Sequence, residues 1–279
     1  MSQTKSGSAP ERSSRSPADG LAQWALYIAL GVAILAFLAM LLPGPLYRLK
    51  ILTLGGAFHS ITYGAYGGMI AAILGVLLVP VVWITHRSTR RFITVALVII
   101  LGGIAWGVPY MWLKKGESVP PIHDITTDTR NPPQFLPDVI ALRAAAHATN
   151  STVYGGAKVA ALQKKFYPYI RPLFFSLPPR TVFAAALRTV KAMGWKLDSQ
   201  HPHMGIIEAS STTFWFGFTD DIVIRIEPRS GGSRLDIRSE SRIGISDFGR
   251  NAARIVRFRA MLYRQLGLHA PPLRQTAQQ

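Results

Sequence analysis

The chain has 279 residues, 49% of them hydrophobic, with 31 Lys and Arg against 14 Asp and Glu and a net charge of +17 at pH 7. That length allows a membrane bundle plus one modest soluble domain. The absence of cysteine excludes disulfides, thiolate catalysis and Cys-ligated metal sites.

Met1–Gly20 is rich in Ser and Pro and reads as a disordered tail, residues 1–20. Three apolar stretches free of Asp, Glu, Lys and Arg follow: Leu21–Leu42, Gly67–Ile84 and Phe92–Leu113. They are 22, 18 and 22 residues long, and a helix needs roughly 20 apolar residues to cross a hydrocarbon core of about 30 Å. Residues 21–113 therefore read as a three-span transmembrane region. The first stretch has no small-x-small cleavage site before Pro43 and is expected to be a retained helix. Leu46–Tyr66, mixed in character, is expected at the interface. Gly64-x-x-x-Gly68 and Gly103-x-x-x-Gly107 offer close helix approach, most simply within the bundle. No ionisable residue sits at mid-span, which argues against an ion-coupled transporter.

Lys and Arg near the span ends set an orientation. With the N-terminus inside, Lys5, Arg12, Arg15, Arg87, Arg90 and Arg91 lie on the cytoplasmic side, and Arg48, Lys50, Lys114 and Lys115 opposite. The lean is toward a cytoplasmic N-terminus and a periplasmic C-terminal domain, in a bacterial inner membrane.

Residues 114–175 are Pro-rich and read as an extended strap with a short helix near Val139–Ala146. Residues 176–267 read as an α+β domain. Val182, Phe183, Ala186, Leu187, Val190 and Met193 recur at helical spacing before Gly194, a C-terminal stop. Strands are expected at Trp195–Asp198, Ile206–Phe214, Ile222–Glu227 and Arg234–Glu240, with a hairpin at Gly231-Gly232. A last helix opens after Ser246-Asp247 and buries Phe248, Ala252, Ile255, Phe258 and Leu262. Residues 268–279 read as a flexible tail. The predicted fold class is thus α+β: a three-helix transmembrane region, then a two-layer domain whose four-stranded antiparallel sheet is flanked by two helices.

Three blocks carry a resemblance. They are Pro121–Asp128 with Asn131–Phe135, Asp220–Arg225, and Asp236–Gly244 running into Ser246–Arg254. Across roughly residues 120–262 the chain resembles DUF1499, a bacterial family of domains of unknown function whose members often carry apolar spans before it. The resemblance implies a domain identity and no activity.

Alternation puts Ile222, Ile224, Ile226, Leu235 and Ile237 on one sheet face, and Val223, Arg225, Glu227, Arg234, Asp236, Arg238 and Glu240 on the other. Asp221, Arg225, Asp236, Arg238, Arg242 and Asp247 could line an anion site, since Arg forks pair with phosphate or carboxylate. The simpler reading is cross-strand ion pairs on a solvated face. Asp247, Arg250, Asn251 and Arg254 could form an anion site at a helix N-terminus, with Asp247 as a plain cap being the simpler reading. Arg250, Arg254, Arg257 and Arg264 make a basic stripe on the last helix. His123, Asp124 and Asp128 form a second cluster, and His201 and His203 a pair, but neither supplies three metal ligands at a recognised spacing. No metal, cofactor or nucleic acid is expected, and catalytic residues cannot be named. Residues 114–279 hold 23 Lys and Arg against 12 Asp and Glu, a net of +11. A module binding lipid headgroups, an envelope polymer or a partner protein is expected. An enzyme acting on an anionic envelope substrate through the Arg/Asp face is the alternative.

Overall fold

A computed structural model describes residues 17–85 and 88–273 and divides the chain into two compact units, 1–112 and 113–279. The first unit holds α1 (Pro17–Leu41), α2 (Pro43–Arg48), α3 (Leu54–Thr85) and most of α4 (Thr89–Glu117). Three of these helices are long and apolar enough to cross a membrane. Helix α1 starts at Pro17, so residues 17–20, expected in the tail, are helical. A proline is favoured in a first helical turn, where its missing N–H costs nothing, and Asp19 complements the dipole there. The rest of the expected tail lies outside the described residues. So do Arg87 and residues 274–279.

Helix α3 absorbs most of the stretch expected at the interface. Its 32 residues make a rod of about 48 Å, longer than a hydrocarbon core. Its glycines are placed for close approach. A Cβ on Gly64 would lie 2.9 Å from the Ala36 carbonyl of α1, and one on Gly68 would lie 2.8 Å from the Gly102 carbonyl of α4. The close partner on α4 is therefore Gly102. Gly103 and Gly107, although correctly spaced, have nothing within 4 Å of a Cβ among the described residues.

The second unit is built on a six-stranded antiparallel sheet, not four. The strands are β1 (Asp124–Thr126), β2 (Leu173–Phe175), β3 (Lys196–His201), β4 (Ile206–Thr212), β5 (Thr219–Arg229) and β6 (Gly232–Ser241). Their order is β1-β6-β5-β4-β3, with β2 pairing β6 beside β1. The segment 114–175, expected as a strap, supplies both extra strands as well as α5 (Pro137–Ala145) and α6 (Gly156–Phe166). A three-residue strand shows too few residues for alternation to be seen. Pro137 marks a helix start rather than a bend.

Helices α7 (Pro179–Ala192) and α8 (Arg250–Gln265) bury their apolar stripes on one sheet face, against Ile222, Ile224, Ile226, Leu235 and Ile237. Gly194 follows α7 in the left-handed conformation (φ +70°) that ends it. The β5–β6 loop is Ser230-Gly231, one residue earlier than expected. Gly232 is instead required because a Cβ there would sit 2.0 Å from the Phe175 carbonyl of β2. Most of the opposite sheet face is not solvated, although Glu227 and Arg234 stay open at one end. Phe135, Leu136 and Val139 cover it and pack on Ile206 and Val223, so the unit has a second layer over its charged face.

A valine at Gly102 should therefore force α3 and α4 apart and cost about 1–3 kcal/mol, whereas Gly103→Val should leave stability near that of the parent. Thermal unfolding of the detergent-extracted protein checks the pair.

Candidate functional site

On the covered face the alternating charges form a closed network. Arg238, at 0% exposure, is held in a fork by Asp124, with Nε 3.0 Å from Oδ1 and Nη2 2.8 Å from Oδ2. It also donates to Glu240 Oε2 at 3.2 Å and to the carbonyls of Pro133 and Thr152 at 3.2 and 2.8 Å. Its guanidinium carbon stands 5.0 Å from the centroid of the Phe135 ring, within reach of a cation–π contact. From α5, Arg143 reaches down to Asp221 Oδ2 at 2.7 Å and Glu240 Oε1 at 3.1 Å, and donates to the Asn150 carbonyl. Arg242 closes on Asp221 Oδ1 at 2.7 Å. Toward the other end, Arg225 pairs with Asp236 at 3.0 Å and donates to the Asn131 carbonyl, while Arg234 bridges Asp128 and Asp236.

Register explains the assembly. Asp124 of β1 sits opposite Glu240, and Glu240 opposite Asp221, so three carboxylates line up across adjacent strands on one face. Their mutual repulsion is answered by Arg143, Arg238 and Arg242. Burial above all, then Asp124, pushes Glu240 up to about 8; Arg143 and Arg238 pull the other way and Asp221 adds to the push. Burial likewise raises Glu208, although Leu136 N–H and the Ser199 hydroxyl both donate to it.

The sequence candidates divide across the sheet. Asp221, Arg225, Arg238 and Arg242 share the α5 face with Asp124 and Asp128. Asp247, Asn251 and Arg254 lie on the α8 side. Asp247 accepts from the N–H of Gly249 and of Asn251, at 2.8 and 2.7 Å, and so caps α8 from two residues before the Gly249 cap position. Burial raises its pKa in spite of those bonds. Asn251 donates to the His123 carbonyl and to the Ser241 hydroxyl, and Arg254 pairs with Asp220. Arg254 is thereby turned inward, which leaves Arg250, Arg257 and Arg264 as the exposed basic residues of the expected stripe.

The second cluster separates as well. Asp124 holds Arg238, while Asp128 accepts from the N–H of Arg130 and Asn131 and from Arg234. Burial tends to raise Asp128, but the bonds from Asn131, Arg130 and Arg234 outweigh it and hold it below the usual range. Burial lowers His123. His201 ends β3 and His203 lies in the turn that follows. No three His, Asp or Glu side chains gather as a metal would need among the described residues.

Sequence reasoning did not single out Arg143, Asp220 or Gln163. Arg143 sits on a helix of nine residues, too short to show which face is inward. Gln163 extends β1 with its side chain, accepting from Thr126 N–H at 2.9 Å and donating to the Thr126 carbonyl. A cavity of about 390 Å³ lies beside it, lined by Thr127, Thr129, Lys164, Tyr167 and Arg171 among others.

The model of a family described as a protein of unknown function, DUF1499, matches residues 124–262. No curated protein matches the chain.

Two outcomes follow from the network. Arg238→Met should strand Asp124 and Glu240 in the interior and cost about 3–5 kcal/mol, while the exposed Arg250→Met should stay within about 0.5 kcal/mol of the parent. Urea unfolding of residues 114–279 compares them. Folded Glu240 also keeps a proton that an unfolded glutamate releases near its ordinary value, so the folded state binds more protons between that value and about 8. Its contribution to stability is therefore full below that window, falls as pH rises through it, and is flat above. Glu240→Gln should remove this slope in the same unfolding series.

Proposed function

Residues 124–262 carry the domain of the DUF1499 family, and on that premise we propose a membrane-anchored module that binds anionic envelope material. The three long apolar helices serve as the anchor. The domain binds headgroup or polymer anions, phosphates and carboxylates alike, through its outer surface. The Lys and Arg balance at the span ends supports a cytoplasmic N-terminus and a periplasmic domain in a bacterial inner membrane.

One observation carries the reading: the domain hides its acids and displays its bases. Among the described residues of the second unit, Glu117, Asp138 and the side chain of Glu227 are the exposed acids, whereas fifteen Lys and Arg are exposed. The buried network consumes Asp124, Asp220, Asp221, Asp236 and Glu240 internally. What faces solvent is far more cationic than the composition suggests. Lys158, Lys164 and Lys165 on α6, Arg180, Arg188 and Lys191 on α7, and Arg250, Arg257 and Arg264 on α8 all belong to it. Near an anionic surface each such residue adds about 1 kcal/mol of attraction.

Flotation of residues 114–279 with vesicles tests this reading, with an acidic polysaccharide as a parallel arm to separate the two sources of anion. Binding to phosphatidylglycerol vesicles but not to phosphatidylcholine, weakening as salt rises, is the expected result. Replacing Lys164, Lys165 and Arg171 by Glu should reduce it. Equal, salt-insensitive binding to neutral and anionic vesicles, with none to the polymer, counts against it. Placement is checked separately: alkaline phosphatase fused after Gln279 should be active and a cytoplasmic fluorescent reporter dark.

A further inference from the structure

Among the described residues of the second unit, the most exposed large apolar side chains are Phe214, Ile245 and Val153, at 92%, 80% and 77%. They lie on three different loops, and the strand register brings those loops to one end of the sheet. Strand β4 ends with Thr212 opposite Thr219, and Asp220 stands opposite Ser241 at the end of β6. The 213–218 turn thus leaves the sheet beside the 242–248 loop, and Arg242 N–H donates to the Thr219 carbonyl. Asn150 fastens the third loop there: its side chain donates to the carbonyls of Ser241 and Gly244, and its backbone N–H to that of Arg242.

The aromatic turn is a rigid mount. Thr213 N–H donates to the Phe218 carbonyl at 2.8 Å, and Phe218 N–H to the Thr213 hydroxyl at 2.9 Å. Phe216 stacks on Phe218 with centroids 4.8 Å apart, and Trp215 meets Phe216 edge-on at 5.0 Å. Phe214 belongs to this same turn and is 92% exposed. Scattered exposed apolar residues are ordinary in soluble proteins. Three on adjoining loops, with a tryptophan in the same turn and the exposed Arg250 just behind, are the arrangement of an interfacial anchor.

Chain connectivity names the occupant. Strand β1 begins at this same end, with Asp124 opposite Glu240. Only residues 118–123 separate it from the end of α4, and six extended residues reach about 20 Å at most. The turns at the other end of the sheet, 202–205 and 230–231, are remote from that entry point.

We infer that the 146–153, 213–218 and 242–248 loops form an apolar tip, led by Phe214 and Ile245, that enters the interfacial zone of the lipid bilayer. The inference rests on the membrane anchoring proposed above and is independent of the cationic surface. Hydrophobic side chains would sit at the acyl boundary, with Arg250 at headgroup depth.

The chain contains no cysteine, so Phe214→Cys, Ile245→Cys, Val153→Cys and Ser230→Cys each give one nitroxide-labelled site in the full-length protein. The variants are reconstituted in vesicles of phosphatidylcholine, with and without phosphatidylglycerol, and read by power-saturation electron paramagnetic resonance. Labels at 214 and 245 should collide more with oxygen than with an aqueous nickel chelate, with the order reversed at 230. Val153→Cys, whose loop is separate from the aromatic turn, should follow 214 and 245 and guards against a local effect of losing Phe214. Insertion in either lipid mixture upholds the tip. Labels at 214 and 245 as open to the chelate as that at 230, or shielded from both probes as in a protein contact, would overturn it. The salt series on anionic vesicles has no bearing on this readout, so the two proposals fail separately.

Discussion

Arg238 enters the sheet interior fully enclosed, with one fork on Asp124, a bond to Glu240 and two backbone carbonyls completing its donors. An unpaired guanidinium there would be prohibitive, since the effective penalty for dehydrating an ion is several kcal/mol even after relaxation. Every segment that supplies a partner must therefore be in place before the sheet is complete. Asp124 comes from β1 and Glu240 from β6 itself, the carbonyls come from the loops flanking α5, and Arg143 of α5 holds the other oxygen of Glu240. A slip of one residue in β1 would turn Asp124 to the α8 face and Ile125 onto the ions. A buried ion network of this kind adds little over an apolar core of equal volume. What it provides is specificity of register, and the roof of α5 over the charged face follows from it.

The same network decides the outer electrostatics. A domain with 23 bases and 12 acids could mix them over its surface and present a modest field. Here the acids are drawn inward to neutralise buried arginines, and the surplus of positive charge is left on α6, α7 and α8. Interior pairing and the exterior field are two consequences of one distribution.

Much of this was legible in the sequence, and the failures have definite causes. The long apolar runs mark the three helices because length and absence of charge suffice for that reading. The inward set on β5 and β6 was visible as strict alternation from Ile222 to Ile237, and the Asp247 cap as a residue type before an apolar stripe. The burial of the opposite face was not visible. Arg225, Asp236, Arg238 and Glu240 alternate as they would on a solvated sheet, and period alone cannot tell water from a layer of α5 above them. Strands β1 and β2, at three residues each, are defined by their partner β6 and not by any pattern of their own. The glycine spacing on α4 failed for a similar reason. Gly102 and Gly103 are adjacent in sequence but point to different neighbours, and only packing distinguishes them.

Confinement to a membrane would raise the local concentration of this domain, which makes exposed sheet edges a hazard of mutual pairing. Both edges are blunted. On one side β6 is covered by two three-residue strands, and the outer side of β1 is occupied by the Gln163 amide, which satisfies both the donor and the acceptor of Thr126. On the other side β3 carries an irregularity between Leu197 and Ser199 and begins with the exposed Lys196, paired to Asp198. A bulge breaks the hydrogen-bonding repeat that a second strand would need, and a lysine resists dehydration. The Pro-rich segment therefore has a double use: it roofs the ionic face through α5 and closes an edge through β1, β2 and α6. Cutting the domain at residue 175 would spare the four longer strands in sequence but remove both functions and strip Arg238 of Asp124, so the segment belongs to the fold and not to the tether.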